Sequence, residues 1–328
     1  MSEDDDGSKI EDEIAKLESQ LAEAKRRLNT RREQAGKTTS PTLALTPSLI
    51  PLLQDPSYHY LLLLSDSALP LGSFAFSSGL ESYLAHARRT TSSSHHLYKP
   101  SFTSFLPLSL SSYASTTLPF ALAAHRDPAL IAELDDILDA SIICAVGRRA
   151  SIAQGRALLS IWEKSLAPSS AVSADARRAL EGYSAILRSS SSTAATASSS
   201  SSSTTGQKVS DGSEEEEEEE ELLPPPVSAH LAPLFGAVAR LLGLAPRQTA
   251  YVFLFSHAKA LVSAAVRAGM FGPYQAQKIL AGGELQVLLA DLIEREWNVD
   301  VEHAAQSVPV MDLWIGRHEM LYSRIFNS

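Results

Sequence analysis

A chain of 328 residues with 44% apolar content is long enough to bury a sizeable core, and its single cysteine, Cys144, excludes an intramolecular disulfide and a cysteine-built zinc site. The formal net charge of −10 at pH 7 falls to −2 once the eight glutamates Glu214–Glu221 are set aside, so the acidity belongs to one segment and no basic footprint for nucleic acid remains. The opening MSEDDD is the reverse of a positively charged leader and no run of 18 uninterrupted apolar residues occurs, which predicts a soluble, cytoplasmic chain with no membrane partner.

Within residues 1–40, Ile10, Ile14, Leu17, Leu21, Ala24 and Leu28 recur at spacings of four and three. This heptad seam predicts an amphipathic helix that either pairs with a copy of itself or another partner, or lies alone and frayed, since fewer than four heptads are marginal in isolation. Residues 61–81 read LLLLSDSALPLGSFAFSSGLE. Leu61–Leu64 predicts a buried segment, and Pro70 with Gly72 a turn. Ser78 followed three residues later by Glu81 predicts a capping box opening a helix towards Arg89.

Pro107 and Pro119 divide the Ser101–His125 region at points the pattern leaves open. Asp127 with Pro128 reads as a cap and first turn, followed at three-and-four spacing by Leu130, Ile131, Leu134, Ile137, Leu138 and Ile142. Ala150–Leu166 continues the helical period, with Gly155 lowering local propensity by roughly 1 kcal/mol relative to alanine. Residues 188–226 combine serine runs, the glutamate run and Pro224–Pro226, too little apolar surface to offset the entropy of ordering them. They predict a disordered insert, either a solvated linker or an acidic docking site for a basic or metal-carrying partner.

Beyond the insert, Leu231–Leu242 forms an apolar stripe stopped by Gly243 in a left-handed conformation. The widest stripe starts at Pro246, runs through Tyr251, Leu254, Phe255, Ala258, Leu261, Val262 and Val266 to Gly269, and is expected at the centre of the core. A further stretch from Pro273 is broken or bent near Gly282 and Gly283. No segment alternates with period two, so the expected fold is all-α: a single bundle-like helical domain with an N-terminal heptad helix and a Ser/Glu-rich insert. The expected division is 1–40, 41–187, 188–226 and 227–328, with a C-terminal docking tail closing the last part.

The sequence contains no GxSxG elbow, no GxxxxGK[ST] phosphate loop and no GxGxxG turn. The nine histidines are scattered: His95 and His96 sit in a Ser-rich loop, His257 lies by the apolar stripe of its helix, and His318 with Glu319 makes no HExxH pair. These observations predict a non-enzyme without a catalytic residue, a bound cofactor or a tightly held metal.

Residues 61–81 and the closing PVMDLWIGRHEMLYSRIFNS, residues 309–328, resemble in order the N- and C-terminal signatures of the urease accessory protein UreF family. RRASIAQGRALL (148–159), APLFGAVARLLGL (232–244) and YVFLFSHAKALVSAAVRAG (251–269) resemble it too. The resemblance implies a chaperone or scaffold that dimerises, binds a UreD/UreH-type accessory protein, recruits a UreG-type GTPase and presents the complex to apo-urease. Nickel passes in transit, and nucleotide turnover is coupled to its release by differential binding. The residues the resemblance places at partners are Phe74, Phe76, Glu81, Arg317, His318, Glu319, Tyr322, Arg324 and Phe326. Where the family's first signature has a polar pair after its first phenylalanine, this chain has Ala75 and Phe76, neither of which coordinates nickel. Outside the resemblance stand a coiled-coil adaptor unrelated to urease and a small-molecule enzyme with dispersed active-site residues.

Overall fold

The structure, a computed structural model, describes residues 20–23, 25–26, 55–66, 73–90, 100–167, 177–189 and 227–327. By internal packing the chain divides at residue 51. In the first unit residues 20–23 and 25–26 are helical, with Leu21 exposed; the rest of the heptad seam lies outside the described residues, as do residues 190–226 of the insert.

In the second unit, Leu52–Ser328, the described residues form helices joined by turns, with no strand among them. Its helices are α1 (Pro56–Leu64), α2 (Leu80–Thr90), α3 (Phe102–Arg126), α4 (Ile131–Ser141), α5 (Ala145–Ile161, continued by a wider turn over Trp162–Leu166) and α6 (177–189). After the insert come α7 (Leu231–Leu241), α8 (Pro246–Arg267), α9 (Pro273–Ala281), α10 (Gly283–Glu296) and α11 (Val310–Arg317). The stop signals act as their chemistry dictates: Gly243 and Gly269 take φ of +81° and +74° after α7 and α8, a region where a Cβ is disfavoured. Asp127 caps the turn before α4 by accepting the Ala129 amide at 3.0 Å.

The helix expected at the centre, α8, is in the core, its Leu254, Ala258, Leu261, Val262 and Ala265 buried, and it shares that place with α3, the most extensively packed helix, which meets α7, α8, α10, α4 and α11. Two expectations are corrected. Pro107 and Pro119 do not divide α3, which runs unbroken for 25 residues. Burial of most of its surface outweighs the missing amides. Of Leu61–Leu64 only Leu64 is fully buried; Leu62 is exposed. Among the described residues α8 alone is long and apolar enough to cross a bilayer; its Ala250, Leu254, Ala258, Leu261 and Ala265 are buried in this core.

The tightest crossing is α3 on α7, where a Cβ on Gly236 would stand 1.9 Å from the carbonyl oxygen of Ala121. Gly155 serves the same purpose on α5: its Cβ would lie 2.0 Å from the Ala229 oxygen, so the propensity lost to glycine is exchanged for close packing. The chain enters α7 over a carboxylate. Asp135 of α4, fully buried, accepts the amides of Ser228, Ala229 and His230 at 2.5, 3.1 and 2.6 Å, with Ala229 held at a φ of +71°.

Candidate functional site

The two signature blocks, more than 200 residues apart, meet at one corner of the bundle. The first enters through a turn at 73–75 and reaches α2 by way of Ser78 and Gly79, whose φ values are +47° and +85°. Gly79 is required twice over: its φ disfavours a side chain, and a Cβ there would press within 3.1 Å of the Ile315 backbone nitrogen on α11. Trp314 anchors α11 from the other side, its ring centroid 4.9 Å from Tyr83 of α2 and 5.8 Å from Phe105 of α3.

The capping box expected between Ser78 and Glu81 does not form. Ser77 takes its place, its hydroxyl accepting the Glu81 amide at 3.4 Å, because Ser78 is turned into the left-handed region. Glu81 is thereby free to face the tail. Its carboxylate accepts the amides of Ile325 at 2.7 Å and Phe326 at 3.1 Å, and lies 3.0 Å from His318 Nε2. The last residues run alongside the first block, with the Asn327 amide donating to the Ala75 carbonyl at 2.7 Å. Arg267, at the end of α8, stacks its guanidinium 4.4 Å from the Phe326 ring and donates to the Phe74 carbonyl.

The nine residues named from the sequence fall into three groups at this corner. His318 and Phe326 are buried and Glu81 is nearly so; these fasten the tail. Phe74, Arg317, Glu319, Tyr322 and Arg324 are exposed, Tyr322 completely, and Phe76 sits half-buried on the wall of a cavity beneath. Glu319 pairs with Arg149 of α5, and Arg324 curls back to donate to the carbonyls of Glu319 and Leu321 at 2.6 and 3.2 Å. Beyond Arg317 the chain leaves the helix, so Met320 and Ile325 do not pack on the core but stand 78% and 65% exposed.

The cavity, of about 370 Å³, is walled by both blocks and by α3, α5 and α8. Ser109, Ser112 and Thr116 present hydroxyls from α3, with Ser151 and Gln154 from α5 and Asp312 from α11. Burial pushes the Asp312 carboxyl up from the usual range, against the pull of a hydrogen bond from Gln306 at 3.0 Å. His257 stacks face to face on Tyr113 at 3.9 Å with Nε2 3.1 Å from Ser109 Oγ, and burial holds it at about 3, so the imidazole is neutral at physiological pH. Ser109, Ser112 and Thr116 follow helical spacing, but Thr103, Ser104, Ser111, Ser115 and Thr117 share the helix, so only the fold shows which hydroxyl residues face the cavity. Arg149 and Arg267 carried no such pattern, since only the fold brings them to the tail.

One further cluster has the residue types of a hydrolase. His230, fully buried, lies 3.0 Å from Ser151 Oγ through Nδ1 and 2.7 Å from Asp139 through Nε2. Burial raises the Asp139 carboxyl, but hydrogen bonds from Arg148 and His230 outweigh it and hold it at about 2. Ser151 Oγ also accepts the Leu231 amide at 3.3 Å, so hydroxyl, imidazole and carboxylate together close the start of α7 beside the Asp135 clamp. No group of three or more metal-ligating side chains occurs among the described residues; His95 and His96 lie outside them.

The sequence profile of the UreF family matches residues 99–283. An uncharacterized urease accessory protein UreF-like of Schizosaccharomyces pombe is 35% identical over 270 residues, which is 82% of this chain and 97% of that protein. Urease accessory protein F of Oryza sativa subsp. japonica is 29% identical over 269 residues (80% of this chain, 82% of the relative). Its Arabidopsis thaliana namesake is 28% identical over 267 residues (81% and 90%). An all-α body, two signature blocks brought to one corner and similarity over four-fifths of the chain lead to one conclusion: this chain belongs to the UreF family of urease accessory proteins.

Proposed function

We propose that the chain is a non-catalytic scaffold of urease maturation, acting in the cytoplasm as a homodimer. It binds a UreD/UreH-type accessory protein, recruits a UreG-type GTPase and presents the assembly to apo-urease, into which nickel passes as cargo. The observation that carries this reading is the corner itself: an exposed cluster of Phe74, Met320, Tyr322 and Ile325 interleaved with Arg317 and Arg324. Exposed aromatics interleaved with arginines are the composition of interface hot spots. The oxygens of Ser109, Ser112, Thr116, Ser151 and Asp312 beneath it support a passage for a hydrated cation that needs no resident ligand set. Coupling to the GTPase follows from binding one nucleotide state of the partner more tightly than another.

The test is reconstitution. The chain is co-purified with candidate UreD-type and UreG-type proteins, and apo-urease is expected to gain activity only when all are present with nickel. Removing Met320–Ser328 is expected to abolish assembly, whereas removing residues 1–40 is expected to spare it; the reverse result would favour a coiled-coil adaptor. The order Ser151, His230, Asp139 gives the enzyme alternative its one specific observation. Turnover of an ester by the isolated chain, abolished in Ser151→Ala, would overturn the scaffold reading.

A further inference from the structure

A second hollow, of about 260 Å³, opens between α5 and α6, and none of its lining residues belongs to either signature block. Leu159 and Ser184 are buried within it, while Arg156, Glu163 and Arg188 stand exposed at its edge. Over its two walls, residues 156–167 and 177–189, the five cations Arg156, Lys164, Arg177, Arg178 and Arg188 stand against two carboxylates, Glu163 and Glu181. That formal +3 lies on a chain whose net charge is −10, so the hollow is a place where the chain's own field gathers an anion. The pair of Arg188 with Glu163 at 2.6 Å is exposed on both sides, and such pairs exchange readily for another carboxylate.

The chain itself supplies that anion beside the hollow. Helix α6 ends at Ser189, one residue past Arg188, and the described chain resumes at Val227, where the Ser228 carbonyl accepts Arg156 Nε at 3.4 Å. The two ends of the insert therefore stand at the two arginines of the hollow. Glu221, the last of eight consecutive glutamates, precedes Ser228 by seven residues, a tether of at most about 25 Å. A segment tethered this closely meets the hollow at an effective concentration on the order of millimolar.

We propose that the hollow between α5 and α6 is the docking site of the chain's own glutamate run, Glu214–Glu221, whose carboxylates pair with Arg156 and Arg188. The inference is independent of the scaffold reading. It gives the run an occupancy on the body of the protein, in place of the solvated linker or external docking site that its composition allows. Each ion pair is exposed and weak, so the contact depends on the number of carboxylates, the short tether and low salt. An acidic segment of another protein enters the hollow only by displacing the run.

The test compares the full wild-type chain with a variant in which every glutamate from Glu214 to Glu221 is replaced by glutamine. The probe is a fluorescein-labelled peptide of eight glutamates, followed by anisotropy. At about 50 mM salt the substituted chain is expected to bind the peptide about tenfold more tightly than the wild type, whose hollow is filled, and about 0.3 M salt is expected to remove most of that binding. Adding Arg156→Ala and Arg188→Ala to the substituted chain is expected to abolish binding with melting unchanged, since both residues are exposed. Should that variant not fold, Arg188→Glu alone, at the exposed end of α6, is expected to lower peptide binding about tenfold. Equal binding by the wild-type and substituted chains overturns occupation by the run. No binding by the substituted chain, or binding that survives the arginine substitutions, overturns the site.

Discussion

The crossing of α3 with α7 and the docking of the tail on α2 are both essential joints, and they are built on opposite principles. At the crossing, Gly236 lets two backbones meet so closely that no side chain fits, and the surrounding Leu118, Ala121, Leu122, Leu234 and Val238 are fully buried. The tail is held by a carboxylate and a few directional bonds over one buried phenylalanine. Steric closeness leaves no room for another arrangement, whereas a few directional bonds fasten the tail and leave most of its side chains exposed. The first joint sets the platform, and the second carries the exposed residues where partners are proposed to meet it.

The comparison breaks first at the crossing. Gly236→Ala places a Cβ against the Ala121 carbonyl, with no flexible side chain to yield, and is expected to destabilise the protein by about 3 kcal/mol or more in urea unfolding. Asp135→Asn is expected next, at about 2–3 kcal/mol, because three backbone amides share its two carboxyl oxygens and a single amide oxygen serves fewer of them. A drop within 0.5 kcal/mol for either substitution would show that the joint repacks.

Acid sharpens the same contrast. Burial holds folded His257 at about 3, against 6.5 for the free imidazole, so the unfolded chain takes up the proton first as pH falls. The stability associated with this ring is fully present above pH 6.5 and is lost progressively towards pH 3. Replacement by phenylalanine preserves the stack on Tyr113 and is expected to remove on the order of 1 kcal/mol of the acid-side loss, a discounted figure because the ring edge borders the cavity. Melting temperatures of both proteins between pH 5 and 7.5 measure it. Smallest of all on stability is Arg324→Ala, within about 0.5 kcal/mol since its guanidinium is exposed, yet it is expected to weaken recruitment of the GTPase-type partner. Unchanged assembly and urease activation in that variant would count against the proposed surface.

Much of the helical frame was legible because it rests on local rules. Gly243 and Gly269 act through the left-handed conformation their backbones permit and Asp127 through its side-chain cap, and the structure keeps these and the break at Gly282–Gly283. The unbroken α3 was not legible, since proline is read by its missing amide while the burial that overrides it comes from helices more than a hundred residues later. Glu81 illustrates the same limit at the site. A serine three residues before a glutamate spells a capping box, and only the returning tail, with an amide pair in reach, draws the carboxylate elsewhere.

The sequence by itself determined an all-α body, its principal helix stops and the two blocks that mark the family, because period, capping chemistry and backbone freedom are properties of short stretches. The tertiary structure alone decided which helix is most extensively packed, that Gly155 and Gly236 are contact points rather than weak spots, and that the two blocks form one corner with Arg149 and Arg267 beside them. Those outcomes depend on which surfaces exclude water against each other across long separations, and that is settled by the packing of the whole chain.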